Sequence, residues 1–465
     1  MPTPAFRAPA RRSWIGDRRG NIAILTALLM PVVIGGFGLG AEIGYWFYST
    51  RAMQNAADAA AVAAATNGSS TYATEAQAVT SLYGFQNGVR NVTVTASDVA
   101  ACPSGGNNCY SVAITSLAPQ FLSQMVGFKG TTTVSGVHYT QLTATATATI
   151  QANGDACVLA LDPSDPSSVT TTGGNISLLN CDLQVNSNSS TALTVTGGVI
   201  SASAINVVGN YQSTGGTLTP TPATGKPAIS DPYAGLYSQN DVAAIGSQAC
   251  SGSTTKVTVV STTQTLPPGN YCGGISVTGG SLTLSAGQYN IAGGISVTGG
   301  SLSLDAGQYN IAGGFSNTGG TVTLGAGQYN MMGGVLNITG GTTTGSGVTF
   351  VLTDQNGSYA SANVTGGTVN LTAPTNGSWA GMLVYQDPNA PKSGTDSFTG
   401  GSHTLTGALY FPSQSMTYTG GSTSSTCTQL IAYKFTFTGG STIGSSCAGT
   451  GVQAIPVGGR GALVS

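Results

Sequence analysis

The sequence predicts a mainly β protein with a single N-terminal transmembrane α-helix, a small α+β module and a right-handed parallel β-helix, a three-sided solenoid with turns of about 20 residues. Three observations carry this prediction. An apolar run extends from Ile22 to about Tyr48. A unit of constant length is repeated between Gly273 and Met332. Charged residues make up only 6% of the chain.

These features divide the chain into five segments. The expected boundaries are 1–20 for a cytoplasmic basic segment, 21–66 for the transmembrane helix and its Ala-rich continuation, 67–152 for the small α+β module, 153–450 for the parallel β-helix and 451–465 for a flexible tail.

The composition favours an ordered chain. A charged fraction of 6% is far below the usual ~25%, but disorder also requires low hydrophobicity, and apolar residues reach 40%. The 69 glycines recur at fixed positions, which is typical of ordered tight turns. The net charge is −2, so no general attraction to nucleic acid is expected.

The apolar run predicts a membrane anchor. At ~1.5 Å per residue it can cross a bilayer core of ~30 Å. A cleaved signal peptide has a shorter apolar core, whereas this run is long and ends in the aromatic stretch Tyr45–Tyr48. One arginine, Arg51, soon follows the run, whereas five precede it: Arg7, Arg11, Arg12, Arg18 and Arg19. Because positive charges stay on the cytoplasmic side, the N-terminus is expected in the cytoplasm.

Glu42 is the one carboxylate in the run. Such a group is costly in the middle of a bilayer, where it usually pairs or has a function. Glu42 lies near the outer end of the run, so two interpretations stay open. It reaches interfacial water, or it has a specific partner.

Four stretches of the N-terminal region carry a family resemblance: Arg19–Leu25, Ala27–Pro31, Gly40–Gly44 and Met53–Ala61. They resemble the N-terminal segment of the TadE/TadG-like Flp (tight adherence) pilus-assembly family, over about residues 18–66 and more weakly up to 150. The motif positions are Arg19, Gly20, Pro31, Glu42, Gln54, Asn55 and Asp58. The resemblance implies a membrane-anchored role in pilus assembly, with other pilus-assembly or envelope proteins as partners.

Two departures from the family pattern bear on this reading. Glu42 stands where the family usually has Asp. Some relatives are cleaved after a Gly that has Glu at the fifth following position, whereas Gly20 is followed there by Leu25. Prepilin-type cleavage is therefore not expected.

Residues 67–152 predict a small α+β module. Apolar residues at helical spacing predict a helix over Thr71–Gln86 and a short one over Pro119–Gly127. Alternating residues predict strands at Asn91–Ala96, Tyr110–Thr115 and Thr140–Ile150. The module is also similar to the membrane-proximal part of TadE/TadG-like proteins.

The repeat predicts the solenoid. Gly273–Ala292 recurs almost unchanged at 293–312 and more loosely at 313–332. Each unit holds three short alternating pieces separated by Gly-containing corners, which describes three strands with one buried face per turn. A propeller blade would need four strands in about forty residues. The Thr-Gly-Gly corners between Thr172 and Thr438 indicate about ten to twelve turns and a length of roughly 50 Å.

Stacking of the turns predicts the side-chain register. The expected inward columns are Ile275, Ile295, Phe315 and Val335, then Leu284, Leu304 and Leu324, then Tyr289, Tyr309 and Tyr329, and the expected outward ladder of hydrogen-bonded amides is Asn290, Asn310 and Asn330.

The eight cysteines form four neighbouring couples without C-x-x-C spacing and without a His cluster, so zinc is not expected. An even count in an exported chain favours disulfides. Of the many possible connectivities, the expected one is sequential: Cys102 with Cys109, Cys157 with Cys181, Cys250 with Cys272, and Cys427 with Cys447.

No residue cluster predicts catalysis, a cofactor or a metal. Polysaccharide-acting β-helix enzymes need clustered carboxylates with a basic partner, but no Glu follows Glu75 and the aspartates are scattered. Asp162 and Asp165 flank prolines and are expected to form turns. His403 is expected on a polar surface. The chain is therefore not expected to be an enzyme.

The predicted function is that of a membrane-anchored extracytoplasmic structural protein whose solenoid acts as a spacer or as an interaction or adhesive surface. The expected location is the inner membrane, crossed once, with the solenoid in the periplasm or outside the cell. The expected partners are the lipid bilayer, envelope proteins and surface glycans. The alternatives are a surface adhesin or glycan-binding solenoid, which exposure of Trp379 or Tyr418 would favour, and, less favoured, a polysaccharide-acting enzyme.

Overall fold

The computed structural model describes residues 19–67, 71–99, 102, 109–151, 154–235, 250–419, 427–457 and 460–464. The chain forms two compact units, Met1–Gln151 with Arg460–Ser465, and Ala152–Gly459. Strands account for 49% of the chain, so the mainly β prediction is confirmed. Of the predicted basic segment, all but Arg19 and Gly20 lies outside the described residues.

The first unit packs two helices on an antiparallel sheet. The elements are α1 Arg19–Asn67, α2 Tyr72–Leu82, β1 Val92–Val99, β2 Cys109–Pro119, a short 3₁₀ helix Ser123–Val126, β3 Thr132–Val134, β4 Val137–Gln151 and a C-terminal strand Arg460–Leu463. The sheet order is β1-β2-β4-β3, and the C-terminal strand pairs with β4.

Helix α1 changes character along its length. Its first part exposes large apolar side chains, among them Phe37 and Phe47. Its second part buries small side chains in one core with α2 and with sheet residues such as Val112 and Ile114. Because alanine has only a methyl group, this face can lie close to the sheet. The buried residues of this part are Met53, Ala56, Ala57, Ala60, Ala61, Ala64 and Ala65.

The C-terminal residues differ from the predicted flexible tail. Pro456–Val457 pairs antiparallel with Gly154–Ala160 in the second unit, and Arg460–Leu463 pairs antiparallel with β4 in the first. Backbone hydrogen bonds make these pairings, so they do not require large side chains. Ile455 and Val457 are nevertheless buried, which fixes this part of the chain.

The second unit is a β-solenoid of about twelve turns, each about 21 residues long. The strands stack in parallel on three faces, here called A, B and C. This arrangement confirms the predicted parallel solenoid, while its handedness stays a prediction.

The strands are given for each face in spatial order. Face A consists of Gly269–Asn270, Gly287–Ile291, Gly307–Ile311, Gly327–Met332, Val348–Gln355, Met382–Gln386, residues 407–411 of Ser402–Tyr418, residues 428–432 of Thr428–Phe437, Gly154–Ala160, Asp182–Val185 and Ile205–Val207. Face B consists of Val257–Val259, Ile275–Val277, Ile295–Val297, Phe315–Asn317, Val335–Ile338, Ser361–Val364, Thr395–Phe398, residues 415–418, residues 434–437, Val169–Thr171, Leu193–Thr196 and Tyr211–Thr214. Face C consists of Thr263–Leu266, Ser281–Leu284, Ser301–Leu304, Thr321–Leu324, Thr342–Ser346, Thr368–Thr372 and residues 402–406, and of a second sheet with Ser441–Gly444, Asn175–Leu179, Val199–Ser201 and Thr217–Thr219. Ser358–Tyr359 adds a hairpin to Val348–Gln355.

The inward columns agree with the prediction at all but one position. Tyr289, Tyr309 and Tyr329 are fully buried, and their neighbouring ring centroids lie 5.0 and 4.9 Å apart. Val335 is the exception: Phe315 pairs with Leu336, and Val335 is 40% exposed. Side chains alternate along a strand, so an inward Val335 would also have turned Asn337 inward and Leu336 outward.

The asparagine ladder runs along face A. Asn290 donates to Asn270, Asn310 to Asn290 and Asn330 to Asn310, at 2.8, 2.8 and 2.7 Å. The ladder lies on the outer side of the strands, next to the inward tyrosines, as predicted. It becomes covered along its length, since Asn310 is 6% exposed and Asn330 is fully buried. Gln328 donates to Asn330 and accepts from Trp379, whose loop covers this part of the ladder.

All eight cysteines are paired in the sequential order, in four disulfides: Cys102–Cys109, Cys157–Cys181, Cys250–Cys272 and Cys427–Cys447.

The spatial order of the turns differs from their order in the sequence. Residues 428–437, near the end of the solenoid, pair in parallel with Gly154–Ala160 and Val169–Thr171 at its beginning. Ser441–Gly444 pairs in the same way with Asn175–Leu179. We call this contact the seam. The first three turns of the sequence are therefore the last three in space.

The segment after Thr219 connects the two ends of this stack. Ile229 exchanges backbone–side-chain hydrogen bonds with Asn186. Further along, Asp231 accepts from the Tyr410 hydroxyl at 2.7 Å, and the Tyr233 hydroxyl donates to Gln429 at 2.9 Å. The described part of the connection thus crosses the outer side of face A at the seam and is held there by a buried tyrosine.

The seam predicts a specific crosslink. Thr170 and Thr436 are half-buried partners on adjacent strands of face B. We expect the double variant Thr170→Cys/Thr436→Cys to form a disulfide, because Cα atoms of paired residues lie within the range that a disulfide spans. Peptide mapping by mass spectrometry under non-reducing conditions would detect it.

The matched control is Thr170→Cys/Thr417→Cys. Thr417 pairs with Thr436, so it lies one strand further from Thr170. It should remain uncrosslinked. Absence of the Thr170–Thr436 crosslink would contradict the seam.

Candidate functional site: the Glu42 clasp and the outer surface of the solenoid

Glu42 binds a loop of the same unit through both carboxylate oxygens. Its Oε1 accepts from the Phe121 N–H at 3.0 Å and from the Ser123 hydroxyl at 2.9 Å. Its Oε2 accepts from the N–H groups of Leu122 and Ser123 at 2.9 and 2.8 Å. These are free donors at the start of the 3₁₀ helix. We call this arrangement the Glu42 clasp. Glu42 is only 6% exposed, so the specific-partner interpretation is the one that the structure supports.

Neighbouring contacts hold the same loop against α1. A Cβ atom on Gly38 would meet the Leu122 Cδ1 atom at 2.1 Å, so the missing side chain makes room for Leu122. The rings of Trp46 and Phe128 lie 6.1 Å apart. The buried Gln120 side chain accepts from the N–H of Gly130 and donates to the carbonyl oxygen of Phe128, which closes the loop on itself.

The remaining motif residues of α1 have separate roles. The Gln54 amide donates to Asp58 at 2.8 Å and to the carbonyl oxygen of Thr145 in β4 at 3.1 Å, so it ties the helix to the sheet. Asn55 is exposed, and Pro31 lies inside the helix. Arg19 and Gly20 begin the helix.

Within the residues that the structure describes, no group of three or more His, Cys, Asp and Glu side chains could hold a metal ion. In the described part of the chain, Lys434 forms ion pairs with Asp165 at 2.8 Å and with Asp162 at 3.6 Å. Asp162 also accepts from the N–H groups of Ser164 and Asp165, as a turn-forming aspartate does. Burial alone would raise the pKa of Asp162, but these hydrogen bonds hold it below its ordinary value.

Three residues considered as surface residues are buried or half-buried in the structure. His403 was expected on the surface but is buried in an inward column of face C, beside Val369. Burial lowers its pKa, which favours the neutral ring. Tyr418 is buried, and Trp379 is half-buried with its ring 5.4 Å from that of Tyr385. The Tyr418 ring is therefore closed to a stacking ligand.

The outer side of face B carries a groove of about 750 Å³. Asn337 donates to the Ser316 hydroxyl at 3.2 Å, and Asn363 donates to Asn337 at 2.7 Å. These side chains come from successive turns, so they form a row parallel to the solenoid axis. The groove lining contains no charged side chain. It consists of Gly293, Gly294, Ile295, Ser296, Gly313, Gly314, Phe315, Ser316, Gly334, Val335, Asn337, Ser361, Ala362, Asn363, Thr395 and Ser397.

A buried carboxyl group lies beneath this groove. Asp396 is fully buried between Thr395 and Ser397, and its Oδ1 accepts from the Ala362 N–H at 2.6 Å. Its other oxygen has no hydrogen-bond partner among the described residues. Burial raises the pKa of Asp396 to about 7, against the opposing effect of the Ala362 hydrogen bond.

Sequence reasoning missed the partners of Glu42 and the burial of Asp396. The donors of the clasp are mostly backbone N–H groups, which every sequence has, so only the Ser123 hydroxyl offered a side-chain signal. Asp396 shares the alternation phase of Phe398, which is inward. That phase was a usable signal.

The clasp predicts the effect of removing the Glu42 carboxylate. We expect Glu42→Ala to increase amide hydrogen exchange at Phe121, Leu122 and Ser123, since four hydrogen bonds to a buried charge are lost, each worth roughly 1.5–3 kcal/mol. The measurement is hydrogen exchange of the full chain in lipid nanodiscs.

The control is Glu75→Ala, which removes an exposed glutamate of α2. It should leave exchange at the three amides unchanged. Equal exchange in Glu42→Ala and the parent chain would contradict the clasp.

Asp396 predicts a pH dependence of stability. The pKa of Asp396 in the folded chain is raised from the ordinary value of 3.8 to about 7, so the folded chain binds this proton more tightly than the unfolded chain does. The contribution of Asp396 to the free energy of unfolding therefore falls as the pH rises from 3.8 to about 7. We expect Asp396→Asn to remove this decline. Thermal unfolding of the variant and the parent over this pH range would show it.

Asp305→Asn is the matched control, because Asp305 is exposed on the same solenoid. The control should follow the parent chain at every pH. An Asp396→Asn variant that declines in parallel with the parent would show that Asp396 titrates normally.

The comparisons with known proteins bear on the helix. The family model described as putative Flp pilus-assembly TadE/G-like matches residues 20–67. Neither a search of curated proteins nor one of solved structures finds a match. The matched residues form nearly all of α1, including Glu42 and Gln54. The chain therefore carries a TadE/G-like Flp pilus-assembly segment, which the sequence resemblance had predicted, followed by a β-solenoid.

Proposed function

We propose that this chain is a membrane-anchored, extracytoplasmic structural component of Flp-type pilus assembly or surface attachment, in which the solenoid serves as a spacer and interaction arm. It acts without catalysis and has other pilus-assembly or envelope proteins as partners. Helix α1 crosses the inner membrane once, with its N-terminus in the cytoplasm. The observation that carries the proposal is that the family match coincides with an apolar helix long enough to span a membrane.

The exposure of α1 supports the anchor. A long continuous patch of exposed apolar side chains, as on α1, is unusual on soluble proteins and marks a contact surface. The exposed large apolar side chains of the helix are Ile24, Leu25, Leu28, Leu29, Met30, Val32, Val33, Ile34, Phe37, Ile43, Tyr45, Phe47 and Tyr48. The switch to a buried face at Met53 fits a helix that leaves the bilayer and enters a folded module.

The disulfides support an extracytoplasmic location for the remainder of the chain. Disulfides persist in oxidising compartments and are rare in the cytosol. Three of the four lie in the solenoid, and Cys250–Cys272 joins residues beside the terminal turn. Ser253 pairs with Tyr271 at this end of the stack, so the adjacent Cys250–Cys272 crosslink resists fraying of that pairing.

The solenoid itself supports a structural role. Its turns at 273–292 and 293–312 are nearly identical, and their side chains form continuous inward columns and an amide ladder. Such repetition sets a length without placing a distinctive group at any one turn.

The face B groove favours a second candidate, an adhesive or glycan-binding surface. Its hydroxyl and amide side chains recur on successive turns at a spacing of ~4.8 Å and carry no charge. This chemistry fits a neutral, hydroxyl-rich chain better than an acidic or basic one.

One deletion and one substitution separate the two candidates. Deleting residues 293–312 removes one turn and preserves the register, since Tyr289 then stacks on Tyr329. For a spacer, we expect this deletion to lower surface attachment and pilus assembly in cells, because the arm shortens by ~4.8 Å. Reinsertion of a second copy of 273–292 should restore both.

The matched substitution is Ser296→Arg/Ser316→Arg, which fills the groove without touching an inward column. A spacer tolerates it, whereas a glycan-binding surface loses attachment. Loss only in the substituted chain would replace the spacer by the adhesive function. Normal attachment and assembly in both chains would contradict both candidates.

A further inference from the structure

A second apolar surface lies in the first unit, outside α1. Met125 is 84% exposed and Phe121 is 69% exposed, and the other members are Phe128, Val134 and Val137. They occupy the loop between β2 and β3 and the β3–β4 hairpin. We call these five residues the apolar rim.

The Glu42 clasp fixes the level of the rim along α1. Phe121 donates directly to Glu42, Leu122 fills the space beside Gly38, and the Phe128 ring contacts Trp46. The rim therefore lies beside the outer part of the exposed apolar run. Phe37, Ile43 and Phe47 on that part of α1 are themselves exposed.

Helix geometry places this level at the edge of a bilayer. A hydrocarbon core of ~30 Å is crossed by about 20 helical residues, which from Ile22 reaches the neighbourhood of Glu42. Tyr45, Trp46 and Tyr48 then lie where aromatic side chains favour the membrane interface. Lys129, exposed and next to Phe128, lies where an ammonium group can meet lipid phosphate.

The clasp also makes this level chemically possible. A carboxylate near hydrocarbon must be hydrogen-bonded, and Glu42 has four donors. The same bonds satisfy the N–H groups of Phe121, Leu122 and Ser123, which suits this part of the backbone to a poorly hydrated environment.

We propose that the apolar rim is a second membrane contact, in which Phe121, Met125, Phe128, Val134 and Val137 insert into the outer boundary of the bilayer that α1 crosses. This inference rests on the proposed membrane anchor. Its occupant is lipid rather than protein, because Phe121 and Phe128 lie beside Glu42 and Trp46, next to the exposed apolar side chains of α1. The contact fixes the orientation of the first unit on the membrane, because it prevents rotation of the unit about the axis of α1.

The test uses the full chain in liposomes with an environment-sensitive fluorophore on one introduced cysteine. Met125→Cys reports on the rim, and Val32→Cys reports on the anchor. Leu82→Cys is the matched control, since Leu82 is 86% exposed and ends α2, which packs on the Ala-rich part of α1. Lipids that carry a spin-label quencher near the headgroup or deep in the acyl chain measure depth.

We expect blue-shifted emission and headgroup-level quenching at Met125, deep quenching at Val32 and neither at Leu82. Quenching at Val32 with none at Met125 would overturn the rim and leave the anchor intact. Absence of quenching at Val32 would contradict the anchor itself. Equal quenching at Met125 and Leu82 would show non-specific adsorption and would also overturn the rim.

Discussion

The seam is the contact on which the solenoid depends. Every other turn stacks on a neighbour that is close in sequence, but residues 428–437 must find Gly154–Ala160 and Val169–Thr171, which were synthesised long before. The inward side chains Phe435 and Val169 meet there at nearly full burial. Without this contact two shorter solenoids would each expose an open strand edge, which is a site of aggregation. The crossing segment reinforces the seam, because buried Tyr233 donates to Gln429 on one side of it and belongs to one core cluster with Ala156 and Leu159 on the other.

The permuted order of the turns determines where the chain enters and leaves the solenoid. The chain enters the solenoid at Gly154 and leaves it after Val457, and these two residues are paired. Both covalent connections therefore join an internal turn. The described face B strands at the two ends of the stack are Val257–Val259 and Tyr211–Thr214. The longer arm, from the seam to the Cys250–Cys272 disulfide, contains the nearly identical turns, so it is the part whose length can change with least disturbance.

The sequence predicted those features that one local pattern determines. Identical units fix the Tyr and Asn columns, because a parallel register follows from the repeat itself. At Val335 two patterns competed. The position after the Gly-Gly corner assigned Val335 to the inward column, whereas alternation assigned Leu336. Burial of the larger pair Leu336 and Ile338 decided the register. His403 shares the phase of Leu405, so alternation already contained the signal of its burial. The seam had no such signal, since its inward residues resemble those of any other turn.

The Glu42 clasp shows why the helix could be recognised while its partner could not. An acidic residue in an apolar run is visible in a sequence, but the N–H groups that it binds belong to the backbone and leave no mark. The clasp nevertheless links two features that look unrelated in the sequence, the end of the apolar run and the loop that bears Phe121 and Met125. Because the carboxylate is satisfied only when that loop is docked, the cost of placing a charge near the bilayer favours the docked loop. The single carboxylate of the apolar run thus fixes the level of this loop along α1.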